Sequence, residues 1–144
     1  MSQQQVPPPT TPYGAPISLD AAKRAMAAAE AEAVKNKWGV AIAIVDSGAN
    51  LVMLHRLDNA QLSSVRLAEE KAVTSVEFRR PTKALEDAVG GGGIGLRVLT
   101  FGASLAEGGV PIISDGRIIG AIGVSGVASP EDAQVAKAGA DAIA

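Results

Sequence analysis

The sequence has no cysteine, only one histidine and few aromatic residues. Without cysteine the chain can form no disulfide, no thiolate metal site and no cysteine nucleophile. Its 15 acidic and 13 basic residues nearly balance, so binding to nucleic acid has little electrostatic support. It has no apolar run long enough to span a membrane, and its N-terminus lacks the basic start and apolar block of a signal peptide. We therefore expect a cytoplasmic protein that binds neither nucleic acid nor a membrane.

The first sixteen residues differ in composition from the rest of the chain. Residues 1–16 are polar and contain five prolines, with no periodic apolar pattern. Such a segment buries too little apolar surface to fold by itself, so it is predicted to be an extended arm, free to lie along a neighbouring subunit. The remaining residues, 17–144, are long enough for one domain with its own core.

Two hairpins are predicted. Asp115-Gly116 separates the apolar runs Val110–Ser114 and Arg117–Val124, and Asp-Gly between such runs is a strong signal for a tight hairpin turn. A second pair of runs, Val40–Val45 and Leu51–Leu57, is joined by turn-forming residues. Strict alternation would place Leu51, Met53 and His55 on one face of their strand. In the same way it would place Ile118 with Ile122 and Val124, and Ile119 with Ala121.

The other elements follow from caps and helical periodicity, with a brief edge strand predicted at Val98–Phe101. Four helices are predicted: one after an N-cap at Ser18 to about Lys37, one from an N-cap at Asp58 to about Phe78, a short one from Pro81-Thr82 to Gly90, and a last one capped by Ser129. Since hairpins rather than crossovers join the strands, the predicted fold class is α+β, with about five antiparallel strands and helices packed on the sheet.

Several blocks of the sequence resemble the GlcG/HbpS family, which includes the C-terminal domain of PduO-type proteins. The resemblance covers roughly Ile17 to the C-terminus and depends on these blocks: Val45-Asp46, Gly48, Leu51-Val52, Arg56-x-Asp58-x-Ala60, Lys71-Ala72, Gly108-Gly109-Val110-Pro111-Ile112, Asp115-Gly116, Gly120 to Gly126, and Glu131-Asp132. It implies a profilin-like antiparallel sheet between two helical layers, assembly into dimers or larger rings, and a cleft that binds haem in some members.

The strand that ends near Arg56 holds the first candidate site residues. His55 is the only histidine, and a neutral imidazole is a common axial ligand of haem iron, although a strand histidine can equally be satisfied by a hydrogen bond. Arg56 could bind a carboxylate or a haem propionate in bidentate fashion. The alternative is a surface pair between Arg56 and Asp58, with Asp58 also capping the following helix.

The other candidates lie further along the chain. Lys71 falls on a partly apolar helix face, where it could neutralise an anion, act as a base, or simply extend past its neighbours to solvent. Ser125 and Gly126 end a predicted strand and could donate hydrogen bonds to an anion. Gly109 is a further candidate ligand-binding residue. Glu131 is a candidate for acid–base work, or it stabilises the start of the last helix.

Three functions are consistent with these residues. The first is binding of haem or a related tetrapyrrole in a cleft between sheet and helices or between subunits of a homo-oligomer, with His55 as the iron ligand. The second is a cofactor-free enzyme that acts on a small carboxylated or oxygenated metabolite, with Asp58, Lys71 or Glu131 moving protons. The third is a structural subunit of an oligomer.

Overall fold

A computed structural model of the chain describes residues 10–143, so the first nine residues of the predicted arm lie outside the described residues. None of the helices in this range is long and apolar enough to cross a membrane. The elements follow one another as α1 Leu19–Lys35, β1 Ala41–Asp46, β2 Leu51–Arg56, α2 Ser64–Phe78, α3 Thr82–Gly90, a 3₁₀ helix Gly93–Thr100, β3 Gly109–Ser114, β4 Arg117–Ser125 and α4 Ser129–Asp141.

The four strands form one antiparallel sheet in the order β2-β1-β4-β3. Both predicted hairpins are present. Asp115 and Gly116 adopt φ angles of 52° and 72°, the left-handed values that a primed turn requires. In the other turn, one carboxylate oxygen of Asp46 accepts hydrogen bonds from the backbone amides of Gly48 (2.8 Å) and Asn50 (3.0 Å).

Helices cover both faces of the sheet, which makes three layers. On one face, α1 and α4 pack on Ile42, Ile44 and Ile122. On the other face, α2 packs on Ala43 and Ala121, and small side chains there allow the helix to approach the sheet closely. The predicted α+β class, with an antiparallel sheet between helices, is confirmed.

The predicted count of about five strands is wrong, because the segment expected to be an edge strand belongs to the 3₁₀ helix. Glycines with positive φ angles stand before and after this segment, at Gly92, Gly93 and Gly102, and they turn the chain tightly. Within it only Val98 is buried, while its neighbour Leu99 is exposed. The segment therefore has no continuous apolar face with which to extend the sheet.

Two β-bulges make the predicted strand faces wrong at Leu51, Ile118 and Ile119. In β2, Val52 is an extra residue, so Leu51 stands opposite Val45 and shares its α2-facing side. In β4, Ile119 is the extra residue. Ile118 therefore packs into the α2-facing core, while Ile119 packs on the opposite core. Each bulge shifts the alternation by one residue, and a strict period of two cannot anticipate it.

The predicted start of α1 is confirmed and that of α2 is wrong. Ser18 caps α1, with its hydroxyl accepting from the backbone amide of Ala21 at 3.1 Å. The residues around Asp58 form a turn instead of a helix start, since Asn59 takes a left-handed φ of 67°. The backbone amide of Leu57 also still donates to the carbonyl of Val40 at 2.9 Å, which prolongs the strand pairing beyond β2.

The described part of the proline-rich arm lies beside β4 where β1 has already ended. The amide of Ile118 donates to the carbonyl of Pro12, and the amide of Gly14 donates to the carbonyl of Ile118, both at 2.9 Å. The Tyr13 hydroxyl donates to the carbonyl of Val76 on α2 at 2.8 Å. This part of the arm therefore supplies backbone partners to a stretch of β4 that β1 leaves unpaired.

The close approach of α2 to β4 gives a testable prediction. A Cβ atom at Gly123 would lie 2.1 Å from the carbonyl oxygen of Ala68 and 2.5 Å from the amide nitrogen of Ala72. Gly123→Ala should therefore push α2 off the sheet and lower the free energy of unfolding by about 1–3 kcal/mol. Urea denaturation measures the change.

Gly90→Ala is the matched control, because a Cβ there meets no atom within 4 Å and Gly90 is the last residue of α3. Alanine at that position should leave stability unchanged or raise it slightly. Equal effects of the two substitutions would contradict the tight contact between α2 and β4.

Candidate functional site

A buried ion pair connects α2, β4 and α4. The Lys71 ammonium lies 3.0 Å from a carboxylate oxygen of Asp132, and it also donates to the backbone carbonyl of Val124 at 3.0 Å. The two charged side chains are only 3% and 2% exposed. The other carboxylate oxygen of Asp132 accepts from the amide of Val127 at 3.1 Å. Both charges therefore have polar partners, without which their burial would be strongly unfavourable.

Two consecutive glycines make room for the lysine. A Cβ atom at Gly108 would lie 2.8 Å from the Lys71 nitrogen, and one at Gly109 would lie 2.3 Å from the Lys71 carbonyl oxygen. Gly108 also has a φ of +140°, which L-residues rarely adopt. The amide of Gly109 donates to the buried Thr82 hydroxyl at 3.0 Å. The lysine can thus leave the α2 layer, pass the start of β3, and reach α4 in the opposite layer.

Burial also changes the acidity of two carboxyl groups in this region. It raises the pKa of Asp132, and the nearby Lys71 ammonium and Val127 amide oppose that rise. Burial likewise raises the pKa of Glu107. The backbone amide of Glu107 donates to a carboxylate oxygen of Glu86 at 2.9 Å, so further acidic charge lies close by.

The ion pair holds α2, β4 and α4 together, and it exposes no reactive group to solvent. The Lys71 nitrogen is enclosed by Val124 and Asp132, and almost none of its side chain reaches solvent. Lys71 lies on a partly apolar helix face, as its spacing predicts, whereas no pattern in the sequence identifies Asp132 as its partner. The adjacent glycines Gly108-Gly109 were the available signal, since they leave space for a long side chain.

His55 lies on β2, on the face that carries α1. It stands opposite Ile42 in the sheet, and its Nδ1 is hydrogen-bonded to the carboxylate of Glu30 on α1. Because a carboxylate only accepts, Nδ1 is the donor in this contact, and Nε2 is the ring nitrogen that the contact does not use. The His55 side chain is 46% exposed, and within residues 10–143 Nε2 has no hydrogen-bond partner. The imidazole is therefore oriented by its neighbour and still open on the other nitrogen.

Arg56 and Asp58 are close to His55 in sequence but lie elsewhere in space. Arg56 stands opposite Ala41, whose side chain belongs to the α2-facing core, so it points to the other face of the edge strand. Asp58 lies in the exposed turn after β2. Among the described residues no ion pair joins Arg56 to Asp58, so the surface pair considered for them is not formed.

The remaining candidates lie at the end of β4. Ser125 is 4% exposed and stands opposite Ala41 in the sheet. A Cβ atom at Gly126 would lie 2.5 Å from the carbonyl oxygen of Gly39, so this glycine permits a close approach between two backbone segments. Ser125 and Gly126 therefore belong to a closely packed end of β4.

The start of α4 differs by one residue from the predicted one. The N-cap is Ala128, not Ser129, and an alanine side chain cannot accept a hydrogen bond. The carboxylates of the first turn accept instead: Glu131 from the amide of Ala128 at 3.3 Å, and Asp132 from the amide of Val127. Side chains in the first turn thus replace the missing cap.

An open groove of about 650 Å³ runs along the outer side of α2, away from the ion pair. We call it the α2 groove, and it is lined by Leu62, Val65, Arg66, Glu69, Glu70 and Val73. Arg66 pairs with Glu70 at 3.3 Å, whereas Glu69 has no ion-pair partner among the described residues. The groove therefore combines exposed apolar surface with an excess of negative charge.

The predicted site residues thus fall into two regions. Lys71, Gly109, Ser125, Gly126 and Glu131 lie around the buried ion pair, between the end of β4 and the start of α4, whereas His55, Arg56 and Asp58 lie at the β2 edge and in the turn after it. In the part of the chain that the structure describes, no group of three or more His, Asp or Glu side chains could hold a metal ion.

Comparison with known proteins links the chain to one family. The model of the family described as haem degrading protein HbpS-like matches residues 17–141. Protein GlcG of Escherichia coli (strain K12) is 43% identical over 109 residues, which are 76% of this chain and 81% of GlcG.

Solved structures agree with the sequence match. The crystal structure of a double mutant of HbpS from Streptomyces reticuli has a TM-score of 0.82 and 30% identity, and the match covers 91% of this chain and 89% of HbpS. The crystal structure of a PduOC–haem complex has a TM-score of 0.80 and 30% identity, with 89% of this chain and 95% of PduOC covered.

The buried ion pair gives the second testable prediction. Lys71→Met would leave the Asp132 carboxylate buried without its counter-charge, which should lower the free energy of unfolding by about 3–5 kcal/mol. Adding Asp132→Asn should recover much of this loss, since asparagine keeps an acceptor for Val127. Chemical denaturation of the two single variants and the double variant measures the coupling.

Arg66→Met is the control on the same helix. Its partner Glu70 is exposed, so breaking that pair should change stability by less than about 1 kcal/mol. If Lys71→Met costs no more than Arg66→Met, the buried pair does not hold the layers together.

The third prediction concerns pH. Because burial raises the pKa of Asp132 above its ordinary value of 3.8, the folded chain binds this proton more tightly than the unfolded chain. The stability from this group is complete below pH 3.8 and is lost as the pH rises through the folded pKa. The stability of wild type minus that of Asp132→Asn should therefore fall from acidic to neutral pH. A constant or rising difference in denaturant titrations would contradict the raised pKa.

Proposed function

The chain belongs to the HbpS-like family, and from this premise we propose that it binds haem or a related tetrapyrrole, with His55 as the axial ligand of the iron. HbpS and the PduOC–haem complex support haem binding within the family. In this chain the observation that carries the proposal is the contact between Glu30 and the Nδ1 of His55. Metal-ligating histidines usually donate their second ring nitrogen in this way, which fixes the ring and raises the basicity of the ligating nitrogen.

The side chains around His55 could pack against the edge of a porphyrin ring. Val34, one helical turn after Glu30, is 67% exposed, and Met53 is half-buried on the same face of β2 as His55. These side chains offer apolar surface to a flat ring. Lys23 is exposed and lies two turns before Glu30 on the same face of α1, where it could pair with a propionate.

Arg56 remains part of the proposal as a second propionate partner. Although it points to the opposite face from His55, β2 is an edge strand, so the arginine can reach around its free side. Lys71 has no such freedom, because its ammonium group is buried against Asp132. A bound haem would supply a redox-active iron, and these side chains would hold and orient it.

We also infer that the chain self-associates, because a porphyrin at His55 would lie on an open surface. A second subunit could cover the exposed side of the ring and exclude water from it. The proposed haem site therefore lies at an interface between two subunits.

The alternative of a cofactor-free enzyme gains no specific support. Lys71 is almost completely buried, and Glu131 accepts a hydrogen bond at the start of α4. Asp58 is exposed in a turn.

The proposal is tested by titrating haemin into the protein and following the Soret band. Wild type should give a saturable, stoichiometric shift at micromolar protein. His55→Ala should abolish the shift or change it to that of a different ligand, because the chain has no other histidine. Wild type without a saturable shift would contradict haem binding, and an unchanged spectrum in His55→Ala would contradict the assigned ligand.

Glu30→Gln is the matched variant for the orienting contact. Glutamine keeps an acceptor for Nδ1 but removes the negative charge, so haemin should still bind while the reduction potential of the iron rises. Spectroelectrochemical titration measures that potential. The same potential in both proteins would show that Glu30 does not act on the ligand.

A further inference from the structure

The start of α2 lacks the side-chain partners that complete the starts of α1 and α4. Its N-cap residue, Ser63, makes no side-chain hydrogen bond, and its first turn contains no acidic residue. Among residues 10–143, the backbone amides of Val65 and Arg66 have no acceptor, and these are donors that a capping side chain would satisfy. The positive end of a 15-residue helix is therefore left open.

A buried hydroxyl at this helix start has no partner either. Ser64, the first residue of α2, is 0% exposed, and its Oγ makes no hydrogen bond with any described residue. Burying a hydroxyl without a partner is unfavourable, so such a group is rare in a folded protein. The Cβ of a helical residue is tilted toward the start of its helix, which places this hydroxyl near the free amides.

The helix runs antiparallel to β4, the strand that it covers. Towards the end of the strand, a Cβ atom at Gly123 would lie 2.1 Å from the carbonyl oxygen of Ala68. Near the start of the strand, Tyr13 pairs with Ile118, and its hydroxyl donates to the carbonyl of Val76. The first turn of α2 therefore lies above the last residues of β4.

Ser125 lies beneath Ser64. Four residues back from Ala68 along the helix and two residues on from Gly123 along the strand are both steps of about 6–7 Å. Ser125 stands opposite Ala41, whose side chain belongs to the α2-facing core, so the Ser125 hydroxyl points to the same side. This side chain is only 4% exposed, and within the described part of the chain its hydroxyl makes no hydrogen bond.

Arg56 adds a positive charge to the same row of the sheet. It stands opposite Ala41 from the other side, so Arg56, Ala41 and Ser125 lie next to one another across β2, β1 and β4. The row spans about 10 Å, and only the methyl group of Ala41 stands between the arginine and the serine. Arg56 is exposed and has no ion-pair partner among the described residues. A guanidinium group binds carboxylates and phosphates in bidentate fashion.

We propose that these groups form a binding site for a small oxyanion, a carboxylate or a phosphate group, between the start of α2 and the end of β4. The amides of Val65 and Arg66 donate to its oxygens. The hydroxyls of Ser64 and Ser125 donate as well, since a serine side chain turns readily between staggered rotamers. Arg56 neutralises the negative charge.

The start of α4 does not offer the same site. Glu131 and Asp132 already accept from the amides there, and their charges would repel an anion. The proposed site is also separate from the haem site, because Arg56 and Ser125 lie on the α2-facing side of the sheet and His55 lies on the other. Oxyanion binding therefore requires no iron.

The test titrates inorganic phosphate and, separately, acetate into nitrogen-15-labelled protein at constant ionic strength, with chloride as the balancing ion. Nuclear magnetic resonance follows each backbone amide. We expect saturable shifts concentrated at residues 64–66, and the anion that binds more tightly identifies the group that the site takes. Shifts that do not saturate, or that chloride reproduces, would overturn the site.

Arg56→Gln and Ser64→Ala should each weaken binding of the better anion by about tenfold. Asp58→Asn should strengthen it, because Asp58 is the only acidic residue in the turn between β2 and α2. Arg117→Gln is the matched control, since Arg117 is exposed at the other end of β4 and the same charge is lost. Affinities that remain unchanged in Arg56→Gln and Ser64→Ala, or that fall equally in Arg117→Gln, would overturn the site.

Ser64→Ala also separates a binding role from a structural one. Removing a buried hydroxyl that has no partner should leave the unliganded protein as stable as wild type or more stable in urea denaturation. A large loss of stability would show that the hydroxyl serves the fold, and this would overturn its role in binding. Haemin is absent from these titrations, so their failure leaves the haem proposal intact.

Discussion

The buried contact between Lys71 and Asp132 is the constraint on which the rest of the structure depends. It joins α2 on one face of the sheet to α4 on the other, and it uses the carbonyl of Val124 on the central strand as a third partner. Two buried charges tolerate little displacement, because each loses its counter-charge when they separate. The contact therefore fixes the relative position of both helical layers and the sheet between them.

Several local features follow from this constraint. Gly108 and Gly109 have to lack side chains so that the lysine can pass the start of β3. Asp132 has to stand in the first turn of α4, where it also accepts from the amide of Val127, and so it takes over part of the cap that Ala128 cannot provide. Lys71, which the sequence suggests as a candidate for acid–base chemistry, thus serves to hold the layers together.

The proposed ligand-binding site lies at the periphery of the fold. The β2 edge carries His55, which is half-exposed and oriented by Glu30, while the core and the ion pair remain closed. The proposed ligand site therefore lies on an exposed edge that the closed core supports.

The sequence was sufficient for elements defined by local chemistry. Ser18 as a cap and Asp115-Gly116 as a turn were correctly predicted, because each signal is contained within a few residues. The extra residues Val52 and Ile119 could not be predicted, since a bulge depends on how two strands pair and leaves no mark on alternation.

The same distinction applies to the candidate site. His55 was singled out because it is the only histidine, but its contact with Glu30 joins residues 25 positions apart and depends on how α1 packs on β2. Lys71 was recognised as a lysine on an apolar face, yet its partner lies 61 residues away and two layers removed. Resemblance to a family supplied the expectation of haem, and single residues could not place the ligand.

The central claim is that the Nε2 of His55 ligates the iron of a tetrapyrrole, and nuclear magnetic resonance on isotope-labelled histidine tests it most directly. Because the chain contains one histidine, such labelling reports on His55 alone. On addition of a diamagnetic gallium porphyrin, we expect a large shift of the Nε2 resonance, with the Nδ1 resonance still characteristic of a protonated nitrogen bonded to Glu30. A histidine spectrum that does not change at saturating porphyrin would contradict the claim.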